Sequence, residues 1–272
     1  MKYSWRWFGP QDPVSIPDVR QTGATDIVSA LHHLPNGAVW SIAEIKQRQH
    51  EVEWDAINNE ATNLTWSIVE SVPVHEYIRN YQQTLRNLAE CGIKIVIYNF
   101  MPIIDWTRTD LAYRLPNGVR ALRFDYFEFA AFDLYILQRR AAELDYTTQE
   151  QIQARKVFDA MDETTKQRLI RNIIAGLPGA EESFTLEEFN AALEEYREIN
   201  AECLRSHLFA FLREIMPVAD ECGVRVAIHP DDPPRAMFGL PRILSNEQDI
   251  SLLMNNFSSP NCGLSICAGS LG

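Results

Sequence analysis

Val224-Arg225-Val226-Ala227-Ile228-His229-Pro230-Asp231-Asp232-Pro233-Pro234 is the stretch on which the fold turns. The turn Cys222-Gly223 introduces a short apolar run, the run ends on a histidine, and two acids and three prolines follow. A buried parallel strand reads as a nearly continuous apolar run. The first polar residue after it therefore marks the C-terminal mouth of the sheet, where α/β folds place their ligands. His229 is a candidate ligand on that ground. The prolines fix φ and remove backbone donors, which stiffens the loop that carries Asp231 and Asp232. A capped strand end with solvated acids is the plainer alternative.

The same plan recurs upstream. Tyr3 to Phe8 reads as a strand, followed by a helix over Ile16 to Gln21. The run Ile27 to Leu31 ends in His32-His33, and Ser41 with Glu44 forms a capping box that opens a helix to about Ile57. Leu64 to Val69 stops at Glu70, a helix follows over about His75 to Glu90, and Ile93 to Tyr98 stops at Asn99. Alternating strands and helices predict a parallel sheet with right-handed crossovers. Strands that end on Arg6, His32, Glu70, Asn99 and His229 suggest a ring of side chains around one mouth, the plan of a TIM (β/α)8 barrel.

Between Phe100 and about Asn200 the plan breaks, because such a length exceeds any ordinary βα loop. This segment, about 101–200, is read as a helical insertion after strand four, either a lid or an oligomer contact, with an exposed decoration as the alternative. Phe124 to Arg139 carries apolar residues at helical spacing, and Thr147/Glu150 and Thr185/Glu188 are capping boxes. The helix after Thr185 is expected to reach about His207 or to break before Pro217. A further helix from Glu247 to Phe257 precedes the run Cys262 to Cys267. Six strands result where a closed barrel of this type has eight. The expectation is one α/β domain over 1–272, an incomplete barrel truncated to about six strands.

With 272 residues, 46% hydrophobic and 23% charged, the chain has the composition of a globular protein. A net charge of -12 with no basic stripe argues against nucleic acid as a partner. The N-terminus lacks an apolar signal core, and no run approaches the roughly 18 apolar residues of a membrane span. A cytoplasmic location away from the membrane is expected. Five cysteines, odd in number and without a CxxC pair, suggest neither a disulfide framework nor a zinc knuckle. Cys267 ends the sixth strand as His229 ends the fifth. A thiolate and a neutral imidazole suit a divalent transition metal but ask for one or two further ligands.

Several signatures lie in order along the whole chain: Trp5-Arg6-Trp7-Phe8-Gly9-Pro10, His32-His33-Leu34-Pro35-Asn36-Gly37, Val69-Glu70-Ser71-Val72-Pro73, Tyr98-Asn99-Phe100-Met101-Pro102, Asp105-Trp106-Thr107-Arg108-Thr109-Asp110, His229-Pro230-Asp231-Asp232-Pro233-Pro234 and Cys267-Ala268-Gly269-Ser270. Together they resemble the mannonate dehydratases. The resemblance implies a xylose isomerase-like barrel that dehydrates D-mannonate to 2-keto-3-deoxy-D-gluconate in hexuronate breakdown. It implies Mn2+ or Fe2+ as cofactor, with His229 and Cys267 as metal ligands. Two further ligands and the proton-transfer residues belong, by the resemblance, to strands beyond this sequence, so the catalytic residues stay unassigned. A segment near Glu76 also looks shorter than in the family.

Abstracting the proton α to a carboxylate needs stabilisation of a dianionic carbanion, which a metal and fixed cations supply. Arg6 and Arg108 are candidates for anchoring the substrate carboxylate, His32 and Asn99 for its hydroxyls, and Glu70 for a hydroxyl or for pairing with Arg6. Asp231 or Asp232 is expected to orient His229. His33, adjacent to His32 in an extended segment, should point away from it. A homo-oligomer, a dimer by expectation, is the remaining partner. The alternatives are a related metal-dependent sugar isomerase, or a catalytically inactive fragment that retains only association.

Overall fold

Parallel strands joined by helices make up the first of two compact units in the computed structural model, which describes residues 3–35, 37–55, 63–69, 75–104, 106–174 and 185–271. Unit 1 gathers Met1–Phe100, Arg205–Pro230 and Asn246–Gly272. Its strands are β1 (Ser4–Arg6), β2 (Asp26–Ser29), β3 (Asn63–Val69) and β4 (Ile95–Asn99). After the residues of unit 2 come β7 (Arg225–Ile228) and β8 (Cys262–Leu264). They form one six-stranded sheet in the order β1-β2-β3-β4-β7-β8, parallel at every pairing. Strand neighbours in space are thus neighbours in the chain, apart from the jump from β4 to β7. A sheet wound in one direction with a crossover at each step is the barrel plan.

The crossovers are α1 (Ile16–Gln21), α2 (Ile42–Asp55), α3 (His75–Glu90), α8 (Ala201–Cys222) and α9 (Glu247–Asn256), with a last turn α10 (Ala268–Leu271). Helix α3 shows why they dock. Tyr81, Leu85 and Leu88 fall at spacings of three and four on one face and are at most 2% exposed. A fully buried leucine stabilises by about 1.5–3 kcal/mol. The polar residues on that side are bonded rather than stranded: the Trp40 N–H donates to Thr84 Oγ1 at 3.1 Å, and the Asn87 amide donates to the Trp40 carbonyl at 2.7 Å.

Unit 2 gathers Met101–Leu204 and Asp231–Ser245. It holds a two-stranded antiparallel hairpin, β5 (Asp110–Arg114) and β6 (Arg120–Arg123), which periodicity did not suggest. Its strands are too short and too polar to stand out from a loop. Helices follow: α4 (Tyr126–Ala131), α5 (Thr148–Ala160), α6 (Glu163–Ile174) and α7 (Leu186–Glu195). The helix expected over Phe124 to Arg139 instead passes from α4 into a π-helix, Phe132–Leu137, and ends where Gln138 takes φ 51°. The cause is Asp133, fully buried and held by both Arg139 and Tyr146, so the backbone bends to bring these groups together. Around it Phe129, Phe132, Phe189 and Phe238 pack into one aromatic core.

The helix after Thr185 is also shorter than expected. It stops at Glu195, a turn follows, and α8 starts afresh on Asn200, whose side chain accepts the Cys203 N–H at 2.9 Å. Helix α8 then runs through Pro217 without ending. Pro in a helix interior costs about 3 kcal/mol. Here Leu208, Leu212, Ile215, Met216 and Ala219, all buried, outweigh that penalty. Asn200→Ala should cost about 1 kcal/mol by stranding the N-terminal donors of α8; a denaturant titration with both helix and tryptophan signals would measure it. Among the described residues, no helix is long and apolar enough to cross a membrane.

Candidate functional site

In unit 1 the exits of the parallel strands fall into register. Arg6 closes β1 opposite Val28, and the next N–H, from Trp7, donates to the Val28 carbonyl at 2.8 Å. Asn99 closes β4 opposite Val69 and is 9% exposed. His229 directly follows β7, with its N–H bonded to the Tyr98 carbonyl at 2.8 Å. Ser265 directly follows β8, its N–H bonded to the Ile228 carbonyl at 2.9 Å, and Cys267 lies two residues on. His229 and Cys267 thus leave adjacent strands at the same end. Glu70 lies outside the described residues.

The first two exits share an environment. Phe8 faces the His32 ring at 5.8 Å between centroids, and the Arg6 guanidinium lies 5.0 Å from the Phe8 ring. Burial, and after it the charges of Arg6, Arg48 and His33, pulls the His32 imidazole from 6.5 down to about 4. His32 is therefore neutral at pH 7. Its Nε2 is buried and, among the described residues, has no hydrogen-bond partner, the state of a group poised to bond a ligand hydroxyl. His33 does point away, but through a turn closed by the Leu34 N–H to the Leu31 carbonyl rather than through extended alternation. It is exposed and pairs with Glu44 at 2.8 Å.

Arg48, on α2, was missed. It is 5% exposed, its guanidinium lies 5.5 Å from the Trp7 ring, and Nη1 sits 2.1 Å from where a Cβ on Gly9 would be. Gly9 is glycine because the guanidinium occupies that space, and its φ of 103° suits glycine alone. The signal was present: Arg48 falls on the same helix face as Ile45 and Val52, both fully buried. A cation on an apolar stripe marks a site or a clamp.

His229 carries a second piece of evidence. Its Nδ1 is 2.7 Å from the Pro230 carbonyl. A carbonyl only accepts, so Nδ1 bears the hydrogen, and in the neutral ring the lone pair is on Nε2. Metal-binding histidines are oriented in this way by a carboxylate or backbone carbonyl on the other nitrogen. The expectation had placed Asp231 or Asp232 in that role. In unit 2, Asp231 instead accepts the Leu244 N–H at 2.6 Å and the Ser245 hydroxyl at 2.8 Å, and Asp232 pairs with Arg108.

That pairing also changes the reading of Arg108. Both terminal nitrogens of its guanidinium meet the Asp232 carboxylate, at 2.9 and 2.8 Å, and the group lies 4.6 Å from the Trp106 ring. Among the described residues the partner is Asp232 rather than the nearby Asp110, and Asp105 lies outside the described residues. With both terminal nitrogens on Asp232 and Nη1 also on the Thr107 carbonyl at 2.8 Å, Arg108 ties the segment at Thr107 to the loop at Asp232. Unit 2 also has a cleft of about 730 Å3, where the Arg235 guanidinium lies 4.0 Å from the Tyr126 ring; its lining includes none of the expected site residues.

The donor set can be tested against a metal. A thiol and a correctly tautomerised imidazole suit a divalent transition ion in kind. In number they fall short: among the described residues, no group of three or more His, Cys, Asp or Glu comes together.

The comparisons with known proteins agree with the barrel plan. The family described as D-mannonate dehydratase (UxuA) matches residues 1–272. Mannonate dehydratases from Chromohalobacter salexigens and from a Marinomonas species are each 53% identical over 283 aligned residues, covering 100% of this chain and 71% of theirs. The crystal structure of mannonate dehydratase from Streptococcus suis serotype 2 superposes with a TM-score of 0.68 at 30% identity, covering 100% of this chain and 65% of that one. The chain thus spans about two thirds of the solved relative's length and has a mixed α/β, TIM-barrel-like fold. A match that runs through every strand of the sheet and both candidate donors shows that this chain belongs to the D-mannonate dehydratase family.

Proposed function

We propose that the strand exits of unit 1 serve the dehydration of D-mannonate to 2-keto-3-deoxy-D-gluconate in hexuronate catabolism, a hydro-lyase reaction with Mn2+ or Fe2+. The observation that carries the reading is the His229 tautomer, which leaves Nε2 as a donor beside the strand that leads to Cys267. His229 and Cys267 would hold the ion. Bound there, a divalent cation supplies Lewis acidity toward the substrate's carboxylate and 2-hydroxyl.

The other residues bind and orient. Arg6, at the exit of β1, offers a fixed positive charge for the substrate carboxylate. Neutral His32 offers a hydrogen bond from a ring that carries no charge at working pH, and Asn99 offers an amide to sugar hydroxyls. Glu70 completes the expected set. The chain is read as one cytoplasmic barrel domain with an insertion over about 101–200, working as a homo-oligomer, a dimer in the simplest case.

Metal content after equilibrium dialysis against Mn2+ tests this reading directly. Wild type is expected to retain the ion, and His229→Ala to lose it by more than about 100-fold in affinity, since even outer partners of metal ligands cost 10–100-fold. Product analysis on D-mannonate then separates water loss from the aldose–ketose exchange of an isomerase. No bound metal in wild type would overturn the reading and favour the inactive fragment, which the two-donor count supports.

A further inference from the structure

Arg48 puts a charge where an apolar side chain would pack at less cost. It lies on the buried face of α2 between Ile45 and Val52. A buried cation that only filled space would be matched or bettered by a leucine or methionine of similar volume. Among the described residues its ion pair is with Glu51, Nε to carboxylate at 3.2 Å, one turn along the same helix, so the pair ties α2 to no other element. Nη1 is buried and, among the described residues, has no hydrogen-bond partner. Shut off from water, that nitrogen does not itself reach a substrate.

What the guanidinium does touch is the exit of β1. It lies against the Trp7 ring and fills the space that a Cβ on Gly9 would take. The same exit is held from two other sides. The Trp7 N–H donates to the Val28 carbonyl of β2 at 2.8 Å, and Asp12 closes the turn by accepting the Phe8 N–H at 2.8 Å and the Val14 N–H at 2.9 Å. Beside these supports stand Arg6 and Phe8, and Phe8 faces the His32 ring. Helix α2 thus reaches, through one side chain, the strand exit that presents two groups of the binding set. Among the described residues the charges that act on His32 are Arg6 on β1, Arg48 on α2 and the neighbouring His33, and all three oppose a proton on its ring. Glu44 and Glu51, also on α2, act on Arg48.

We propose that Arg48 is a positioning residue: seated between Trp7 and Gly9, it sets the exit of β1 so that Arg6 and His32 meet the sugar acid together. This deepens the dehydratase reading and rests on it. Two readouts on the full chain test it: the titration of the His32 ring by NMR, assigned with His32→Gln, and the affinity for D-mannonate by calorimetry with Mn2+ present. Arg48→Met keeps the apolar contacts and removes the charge. The His32 midpoint should then rise, and D-mannonate should bind at least about 10-fold more weakly, close to what one charged hydrogen bond contributes. Arg48→Lys restores the charge without the planar group that lies on Trp7 and fills the space at Gly9. It should return the His32 midpoint but only part of the affinity. A role in packing alone would leave that midpoint unmoved, and circular dichroism identifies any variant that has lost its fold. An Arg48→Met chain with the wild-type midpoint or the wild-type affinity overturns the proposal. If Arg48→Met does not fold, Arg48→Lys carries the test, and full wild-type affinity in it overturns the proposal. A wild-type chain that binds no D-mannonate is a different failure: it overturns the dehydratase reading, and with it the substrate named here, whatever Arg48 does to His32.

Discussion

Arg139→Met is expected to destabilise unit 2 by about 3–5 kcal/mol, because it leaves a carboxylate buried without its counter-charge. Asp133 is fully buried on the π-helix, and Arg139 meets it through two bonds at 2.9 and 2.8 Å, with the Tyr146 hydroxyl adding a third at 2.9 Å. Burial pushes the Asp133 carboxyl above its ordinary 3.8, against the pull of Arg139 and Tyr146. An acid whose folded pKa is raised binds more protons in the native state than in the unfolded one. Its contribution to stability is thus present at low pH and lost as pH rises through that value. Removing Arg139 raises the carboxyl further, so the deficit should be large at pH 7 and shrink toward pH 4. Hydrogen exchange across α4 and the π-helix reads the loss locally, which matters in a chain with two compact units. A deficit below about 1 kcal/mol, or one independent of pH, would show that Asp133 is not held as an ion. Arg139→Met with Asp133→Asn should lose less than the sum of the single changes.

The sheet was legible because its signals are local and repeated. Helices α1 and α3 span the residues expected for them, each with a glycine just beyond its end, and the strands fall within a few residues of their apolar runs. Unit 2 was less legible because its decisive contacts join residues that local patterns do not connect. The break at Gln138 follows from a buried ion cluster, and periodicity registers only that Phe and Leu recur. The start of α8 at Asn200 had a capping signal, but the helical pattern on both sides masked it.

The candidate site divides the same way. His229 and Cys267 could be read from the sequence because a polar residue after an apolar strand is a positional signal. The orientation of His229 could not, since its partner is the Pro230 carbonyl and every residue has a carbonyl. Arg48 was hidden by its residue type, for arginine on a helix is ordinarily solvated, and only its place between Ile45 and Val52 betrays it. The fate of Arg108 was out of reach because Asp232 lies 124 positions away in sequence.

Arg108→Ala is expected to cost unit 2 about 3–5 kcal/mol, and this decides between the two roles a guanidinium can have here. As a substrate anchor, Arg108 would be dispensable for stability, and its loss would appear in ligand affinity alone. As the partner of Asp232 it is part of the fold: the side chains are 13% and 8% exposed, the pairing uses both nitrogens, and Trp106 forms a parallel bridge with Asp232 beside it. Truncation then strands a buried carboxylate. Lysine separates charge from geometry, because an ammonium restores the charge but not the two-pronged bond or the stacking on Trp106. Arg108→Lys should therefore recover only part of the loss. Asp232→Asn, which removes the charge from the other side, should destabilise comparably by leaving the guanidinium buried and unpaired. With both residues replaced by neutral ones, the loss should fall well short of the two single losses added together. Denaturant unfolding of the four chains measures the coupling. Additive losses, or an Arg108→Ala chain as stable as wild type, would return Arg108 to the substrate-anchoring role expected from the sequence.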